Sequence, residues 1–298
     1  MRISAKFAGL LGLAIVTAVT GLAVPASASP VPPVASSALV GTWVNTNAST
    51  KSVKQIVIQA AKGGSVLVDA FGSCSPTLCE WGRVPAIVYG PSAASTTGTS
   101  FQSNQRFLSG GTEWSRTELF GTVTKTAAGL RLTVREFTAF SDGTSRRNYT
   151  VTEVFAPGRA AAVHKAGSAV STYVLGHRPV LNAGALGTWV PSGASSNLAK
   201  VVIGGTAASP VVHAYGACTP TPCDWGSVRG ITYGATISTL RGTSGIAAYT
   251  FSFKKTQLLL KYTISATDVE TLTVVAYNEF TDGSGRSNYV VTQKLVRA

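Results

Sequence analysis

The sequence predicts an all-β protein made of two tandem antiparallel repeats of about eight strands each, as sandwiches or barrels. Three observations carry that prediction. Apolar residues recur at every second position over much of the chain, the same ordered set of motifs occurs twice, and no stretch after residue 28 shows long helical apolar spacing. With 45% hydrophobic and 12% charged residues, the 298-residue chain has ample material for buried cores and lacks the composition of a disordered protein.

Residues 1–28 read as a secretory signal peptide. Arg2 and Lys6 form the positive start, Phe7 to Val24 the apolar stretch, and Ala26-Ser27-Ala28 the small-residue cleavage site. Thr17, Thr20 and several Gly dilute the run, which disfavours a membrane anchor, and no later stretch is long enough to span a bilayer. The expected protein is therefore secreted after cleavage near Ala28. Residues 29–40, with Pro30, Pro32 and Pro33, read as an extended Pro-rich leader. Repeat 1 spans 41–156, an Ala/Gly/Ser-rich linker spans 157–185, and repeat 2 spans 186–298.

The duplication is explicit. Gly41-Thr42-Trp43-Val44 returns as Gly187-Thr188-Trp189-Val190. Cys74-Ser75-Pro76-Thr77-Leu78-Cys79-Glu80-Trp81-Gly82 returns as Cys218-Thr219-Pro220-Thr221-Pro222-Cys223-Asp224-Trp225-Gly226. Tyr89-Gly90 returns as Tyr233-Gly234, and Asp142-Gly143 with Arg146, Asn148 and Tyr149 returns as Asp282-Gly283 with Arg286, Asn288 and Tyr289. Between these motifs the strands follow from alternation: Leu130, Leu132 and Val134 with Arg131, Thr133 and Arg135, and Tyr262 and Ile264 with Lys261 and Thr263. Tyr149, Val151 and Phe155 share one side of a strand, as do Tyr289, Val291 and Leu295. Ile56-Val57-Ile58 and Val201-Val202-Ile203 are shorter β-branched runs, and the two Asp-Gly pairs mark turns between the last two strands of each copy.

The opening Gly-Thr-Trp strand, the meander and the Arg just before the last strand resemble the calycin group, the lipocalins and avidins. That resemblance implies that each repeat is an up-and-down β-barrel of about eight strands, with a Trp closing one end and the Arg packed across it, hence Trp43 with Arg146 and Trp189 with Arg286; a guanidinium over an indole contributes about 0.5–2 kcal/mol. Avidins place a ligand-binding Asn two residues after the Trp, which implies Asn45; copy two has Pro191 there. The combined pattern also resembles a family of secreted bacterial tandem-repeat proteins, without a close match to a characterised one.

The four cysteines are expected as two structural disulfides, Cys74–Cys79 and Cys218–Cys223, in keeping with export. Each bridge closes a small Pro-containing ring contributing about 2 kcal/mol. Two thiols without a nearby His do not make a metal site, and the spacing is not that of a redox dithiol. Trp81 and Trp225, beside the stapled loops, have two readings: rings that bind a sugar or partner, or plugs of their own barrels, with Glu80 and Asp224 capping nearby amides. Glu153 shares the alternation class of Val151 and Phe155, and Gln293 holds the matching place; a polar group on an apolar inner face can orient a ligand or mark a wet barrel mouth.

Enzyme signals are poor. His164 and His177 lie in the linker, and His213 stands where copy one has Asp69. Ser252-Phe253-Lys254-Lys255 matches Ser-x-x-Lys but reads as strand, where residues three apart face opposite ways. No catalytic residue, metal or cofactor is implied. The net charge of +13, or +11 without Arg2 and Lys6, is dispersed; an anionic cell-wall polymer is a candidate partner, and no nucleic-acid groove is evident. The expected function is a secreted, non-catalytic binding protein holding a small apolar or carbohydrate ligand at the barrel mouth. The alternatives are a protein-interaction or protease-inhibitor-type module using the stapled loops, and an extracellular hydrolase.

Overall fold

The computed structural model describes residues 35–161, 163–165, 179–181, 183–194, 197–264 and 269–298. The expected signal peptide, residues 29–34 of the leader and 166–178 of the linker lie outside the described residues. Repeat 1 forms β1 (Gly41–Asn45), β2 (Val53–Ala60), β3 (Val66–Gly72), β4 (Leu78–Tyr89), β5 (Ser100–Ser109), β6 (Thr112–Thr126), β7 (Gly129–Phe140) and β8 (Tyr149–Pro157). Their order is β3-β2-β1-β8-β7-β6-β5-β4, and β3 pairs β4, so eight antiparallel strands close into a barrel. From the linker, β9 (Val163–Lys165) adds in parallel to β4, and β10 (Val180–Leu181) pairs in parallel with β16 (Arg241–Gly242).

Repeat 2 forms β11 (Gly187–Pro191), β12 (Leu198–Thr206), β13 (Ser209–Gly216), β14 (Cys223–Arg229), β15 (Ile231–Tyr233), β17 (Ser244–Thr250), β18 (Lys254–Ile264), β19 (Val269–Phe280) and β20 (Tyr289–Arg297). Gly230 interrupts the counterpart of β4, giving β14 and β15 and a nearly closed barrel in the order β14-β13-β12-β11-β20-β19-β18-β17-β15. The all-β architecture of two antiparallel barrels is thus shown.

Each barrel has its own core, because the inward side of every strand carries the apolar half of its alternation. Ile56, Val68, Phe101, Leu119, Val134 and Phe155 fill barrel 1; Val201, Ala214, Ala247, Leu258, Val274 and Leu295 fill barrel 2. One end of each is closed by the repeated Trp. Trp43 Nε1 donates to Leu39 O at 2.8 Å, and Trp189 Nε1 to Ala185 O at 3.0 Å. Leu39 is fully buried in the barrel 1 core, so the end of the leader is a plug rather than an extended tether.

A third cluster joins the barrels: Tyr89, Phe120, Phe137, Tyr233, Ile246, Leu259, Val275 and Tyr277 are all buried in it. Its hydrogen bonds have an approximate twofold pattern. Gly90 N donates to Asn288 O (2.8 Å) and Gly234 N to Asn148 O (2.9 Å); Val290 N donates to Gly90 O (3.0 Å) and Thr150 N to Gly234 O (2.9 Å). The repeated Tyr-Gly and Asn-Tyr motifs are thus the adhesive between the copies. The two barrels are held together by a shared aromatic core.

Candidate ligand site at the barrel mouths

The end of each barrel opposite the Trp43 or Trp189 plug is a mouth framed by the stapled loop, the β5–β6 or β17–β18 hairpin and the turn before the last strand. Both expected disulfides are present, Cys74–Cys79 and Cys218–Cys223, with Cα atoms 5.5 and 5.4 Å apart. Pro76 and Pro220 at the loop tips are exposed. The Trp after each bridge folds back over the barrel. A Cβ on Gly72 would lie 2.5 Å from Trp81 Nε1, and one on Gly216 2.6 Å from Trp225 Nε1, so only glycine admits the indole here.

Trp81 is half-buried, packs edge-on to Phe107 (5.3 Å), and Phe107 in turn meets Trp114 (5.6 Å, tilted). These rings, the Cys74–Cys79 bridge, Lys51, Glu80 and Arg106 line a cleft of 440 Å³. The copy in barrel 2 has Trp225 against Phe251 (5.5 Å) and Tyr249 (5.7 Å), with Phe251 stacked on Phe253 (6.0 Å). Both tryptophans therefore pack on their own barrels and keep part of their surface at the mouth.

The Trp–Arg pairing implied by the calycin resemblance requires correction. Arg146 does not lie on Trp43; it lies over Phe140 (4.4 Å) and Trp114 (5.1 Å) at the mouth and pairs with Asp142. Arg286 likewise lies over Phe280 (3.9 Å) and Phe253 (5.6 Å) and pairs with Asp282 at 2.7 Å, not with Trp189. The reason is local: the Asp-Gly turn holds the Arg four residues on as its ion-pair partner, at the barrel end away from Trp43 and Trp189. Trp189 is covered instead by Arg297, 4.9 Å away.

The polar residues expected to touch ligand divide. Asn45 is buried, its Nδ2 donating to Val53 O (2.8 Å) and its Oδ1 accepting from Asn47 N (2.8 Å); it braces the β1–β2 turn. Gln293 clasps Leu198, accepting from its N (2.8 Å) and donating to its O (3.3 Å). Glu153 is buried and accepts from Thr50 Oγ1 at 2.5 Å. Glu80 and Asp224 also differ: Asp224 accepts from Gly226 N (2.7 Å) and bonds His213 (2.5 Å), while Glu80 stays at the cleft.

A second interior carboxylate escaped the sequence reading. Glu136 continues the inward alternation of Leu132 and Val134 on β7, is 1% exposed, and accepts from Ser52 Oγ. Burial pushes its carboxyl up from 4.5 to about 8, with the Glu153 charge adding to the rise and the Ser52 hydrogen bond opposing it. Within barrel 1, Glu136 Oε1, Gln105 Oε1 and Ser103 Oγ are buried without a hydrogen-bond partner. Barrel 2 differs at the same positions: Ala276, Tyr249 and Ala247 replace Glu136, Gln105 and Ser103, as the strand registers show. Tyr249 OH donates to Val212 O (2.8 Å), where Gln105 Nε2 reaches the equivalent Val68 O (3.4 Å). Barrel 1 is the polar one inside, and barrel 2 is filled by an aromatic.

Among the described residues no group of three or more His, Cys, Asp or Glu could hold a metal, and no helix is long and apolar enough to cross a membrane. Comparison of the chain with protein-family models, curated proteins and solved structures finds no match.

Proposed function

We propose that this is a secreted binding protein without chemistry of its own, which holds one small molecule in the mouth of barrel 1. One observation carries the reading. The 440 Å³ cleft combines aromatic walls with Lys51, Glu80 and Arg106 in its lining, within the usual size range of small-ligand sites. Trp81 and Trp114 suit a sugar face or a compact apolar group, since flat rings bury area with little loss of freedom. The disulfide fixes one wall before binding and so lowers the ordering cost. The test is a search for bound compounds by native mass spectrometry of the protein from its own culture medium, paired with Trp114→Ala. A bound compound lost in the variant is the expected result. Empty protein from every source, with tryptophan fluorescence unmoved by a sugar and small-apolar panel, would overturn the reading.

A second reading rests on the exposed tips at Pro76 and Pro220. Two rigid loops of equal design are suited to contact with an extracellular protein. Loop-tip substitutions that leave every captured partner in place would refute it.

A further inference from the structure

The two mouths share a frame and differ in charge. In barrel 2 an ammonium already occupies the aromatic cage. Lys254 Nζ lies 4.7 Å from the Trp225 ring, 5.5 Å from Phe251 and 5.9 Å from Phe253, and donates to Asn278 Oδ1 at 3.3 Å. Strand register places Ser115 at the position of Lys254: Ser115 pairs Phe140 as Lys254 pairs Phe280. Trp81, Phe107 and Trp114 repeat the cage in barrel 1, but the side chain beneath them is a serine whose Oγ donates to Ala139 O.

The carboxylates run the opposite way. Barrel 1 buries Glu136 and Glu153, and barrel 2 has Ala276 and Gln293 in their places. The barrel with its own ammonium lacks the interior carboxylates, and the barrel with the carboxylates lacks the ammonium. The cations around the barrel 1 mouth do not fill the gap. Arg106 pairs with Glu113 at 2.5 Å and Arg146 with Asp142, leaving Lys51 beside Glu80 at the cleft. The unpartnered Gln105 Oε1 can only accept a hydrogen bond, so the interior suits a guest that brings a donor.

We propose that the cleft of barrel 1 binds its ligand through a primary ammonium group, seated among Trp81, Phe107 and Trp114 as Lys254 Nζ is seated among their counterparts. The inference rests on the ligand-binding reading above and narrows the ligand to an amine. An aliphatic amine and an amino sugar both present the group; the cage supplies the cation–π attraction and Glu80 at the cleft the countercharge.

The experiment titrates the full chain with two matched pairs, n-butylammonium against 1-butanol and glucosamine against glucose, read by tryptophan fluorescence and calorimetry. n-Butylammonium is the lysine side chain without its backbone. The amine of at least one pair is expected to bind about tenfold or more tighter than its neutral partner, the scale of a partly desolvated cation–π contact. Ser115→Lys, which installs the ammonium of barrel 2, is expected to abolish that binding with circular dichroism unchanged. Equal affinities within both pairs would overturn the ammonium inference and leave the broader reading intact; no binding of any of the four, together with empty native protein, would overturn both. Amine binding that survives in Ser115→Lys would place the amine elsewhere and overturn the proposal. If that variant fails to fold, Trp114→Ala takes its place, and undiminished binding there has the same meaning.

Discussion

Replacing Glu136 by glutamine should stabilise the protein, and increasingly so as the pH rises. The carboxyl titrates near 8 in the folded state because burial disfavours its charge, and near 4.5 once the chain unfolds. Between those values the native state holds a proton that the unfolded state has released. Stability therefore falls as pH rises through this window and levels off above about 8. At 1.36 kcal/mol per pH unit the full interval corresponds to about 5 kcal/mol, an upper bound; relaxation and entry of water into the polar half of the barrel should reduce it to about 2–3 kcal/mol. Glutamine is neutral throughout, keeps the shape of the side chain and accepts the Ser52 hydrogen bond. The assay is thermal unfolding of parent and Glu136→Gln at pH 5, 6.5 and 8.5. Melting temperatures should nearly coincide at pH 5 and differ by about 5–10 °C at pH 8.5, taking about 2–4 °C per kcal/mol. A gap that is constant with pH, or a variant less stable at pH 8.5, would refute the claim that a buried carboxylate is held neutral there.

Three further outcomes follow from the packing. Tyr277→Ala removes a buried ring that meets Phe120 at 4.9 Å and Tyr89 at 5.1 Å across the barrel junction; it should cost about 3–5 kcal/mol and split one calorimetric transition into two. Arg146→Ala leaves the Asp142 carboxylate, whose side chain is 0% exposed, without its partner and should cost about 2 kcal/mol; Arg286→Ala, beside the exposed Asp282, should shift the melting temperature far less, and equal shifts would contradict the burial difference. Replacing both Cys74 and Cys79 by serine should lower stability by about 2 kcal/mol, measured by denaturant midpoint, with an unchanged m value.

What the sequence discloses is what is local or repeated. Leu132 and Val134 show their inward face through period two, and the disulfides are legible because each pair is five positions apart in a motif that occurs twice. The resemblance-based pairing of Arg146 with Trp43 misplaces the arginine because it ignores Asp142, whose i,i+4 spacing to Arg146 marks an ion pair as well as a turn. Glu136 was readable as an inward position by its alternation with Val134, yet nothing in the chain announces that a charge sits there. The equivalence of Ser115 and Lys254 was hidden by hairpin length. Residues 108–114 join the aromatic strands in barrel 1, and only Ser252 and Phe253 do so in barrel 2, so the motifs do not align until register is known. That hairpin also ends the Ser-x-x-Lys reading as one strand: β18 begins at Lys254, after Ser252.

The barrel junction explains why the copies agree where they do and differ where they do. Gly90 and Gly234 each donate to the other copy's Asn and accept from its final strand, so a change in one repeat breaks bonds on the other's surface as well. Asn148 and Asn288 carry a second duty, each accepting from the backbone N of its own Phe140 or Phe280 at 3.1 and 2.9 Å. Those motifs are tied together in pairs. The barrel interiors carry no such tie, since each core closes within its own repeat. Substitutions there can accumulate in one copy alone, provided that charge and volume are balanced locally. The opposed sets, Ser115 with Glu136 and Glu153 against Lys254 with Ala276 and Gln293, are such balanced solutions. A lysine inserted alone at Ser115 would place in barrel 1 the ammonium that Lys254 gives barrel 2, and a glutamate inserted alone at Ala276 would enter a barrel already filled by Tyr249. One repeat is therefore filled by Tyr249 and Lys254, and the other keeps Glu136, Gln105 and Ser103 in its interior.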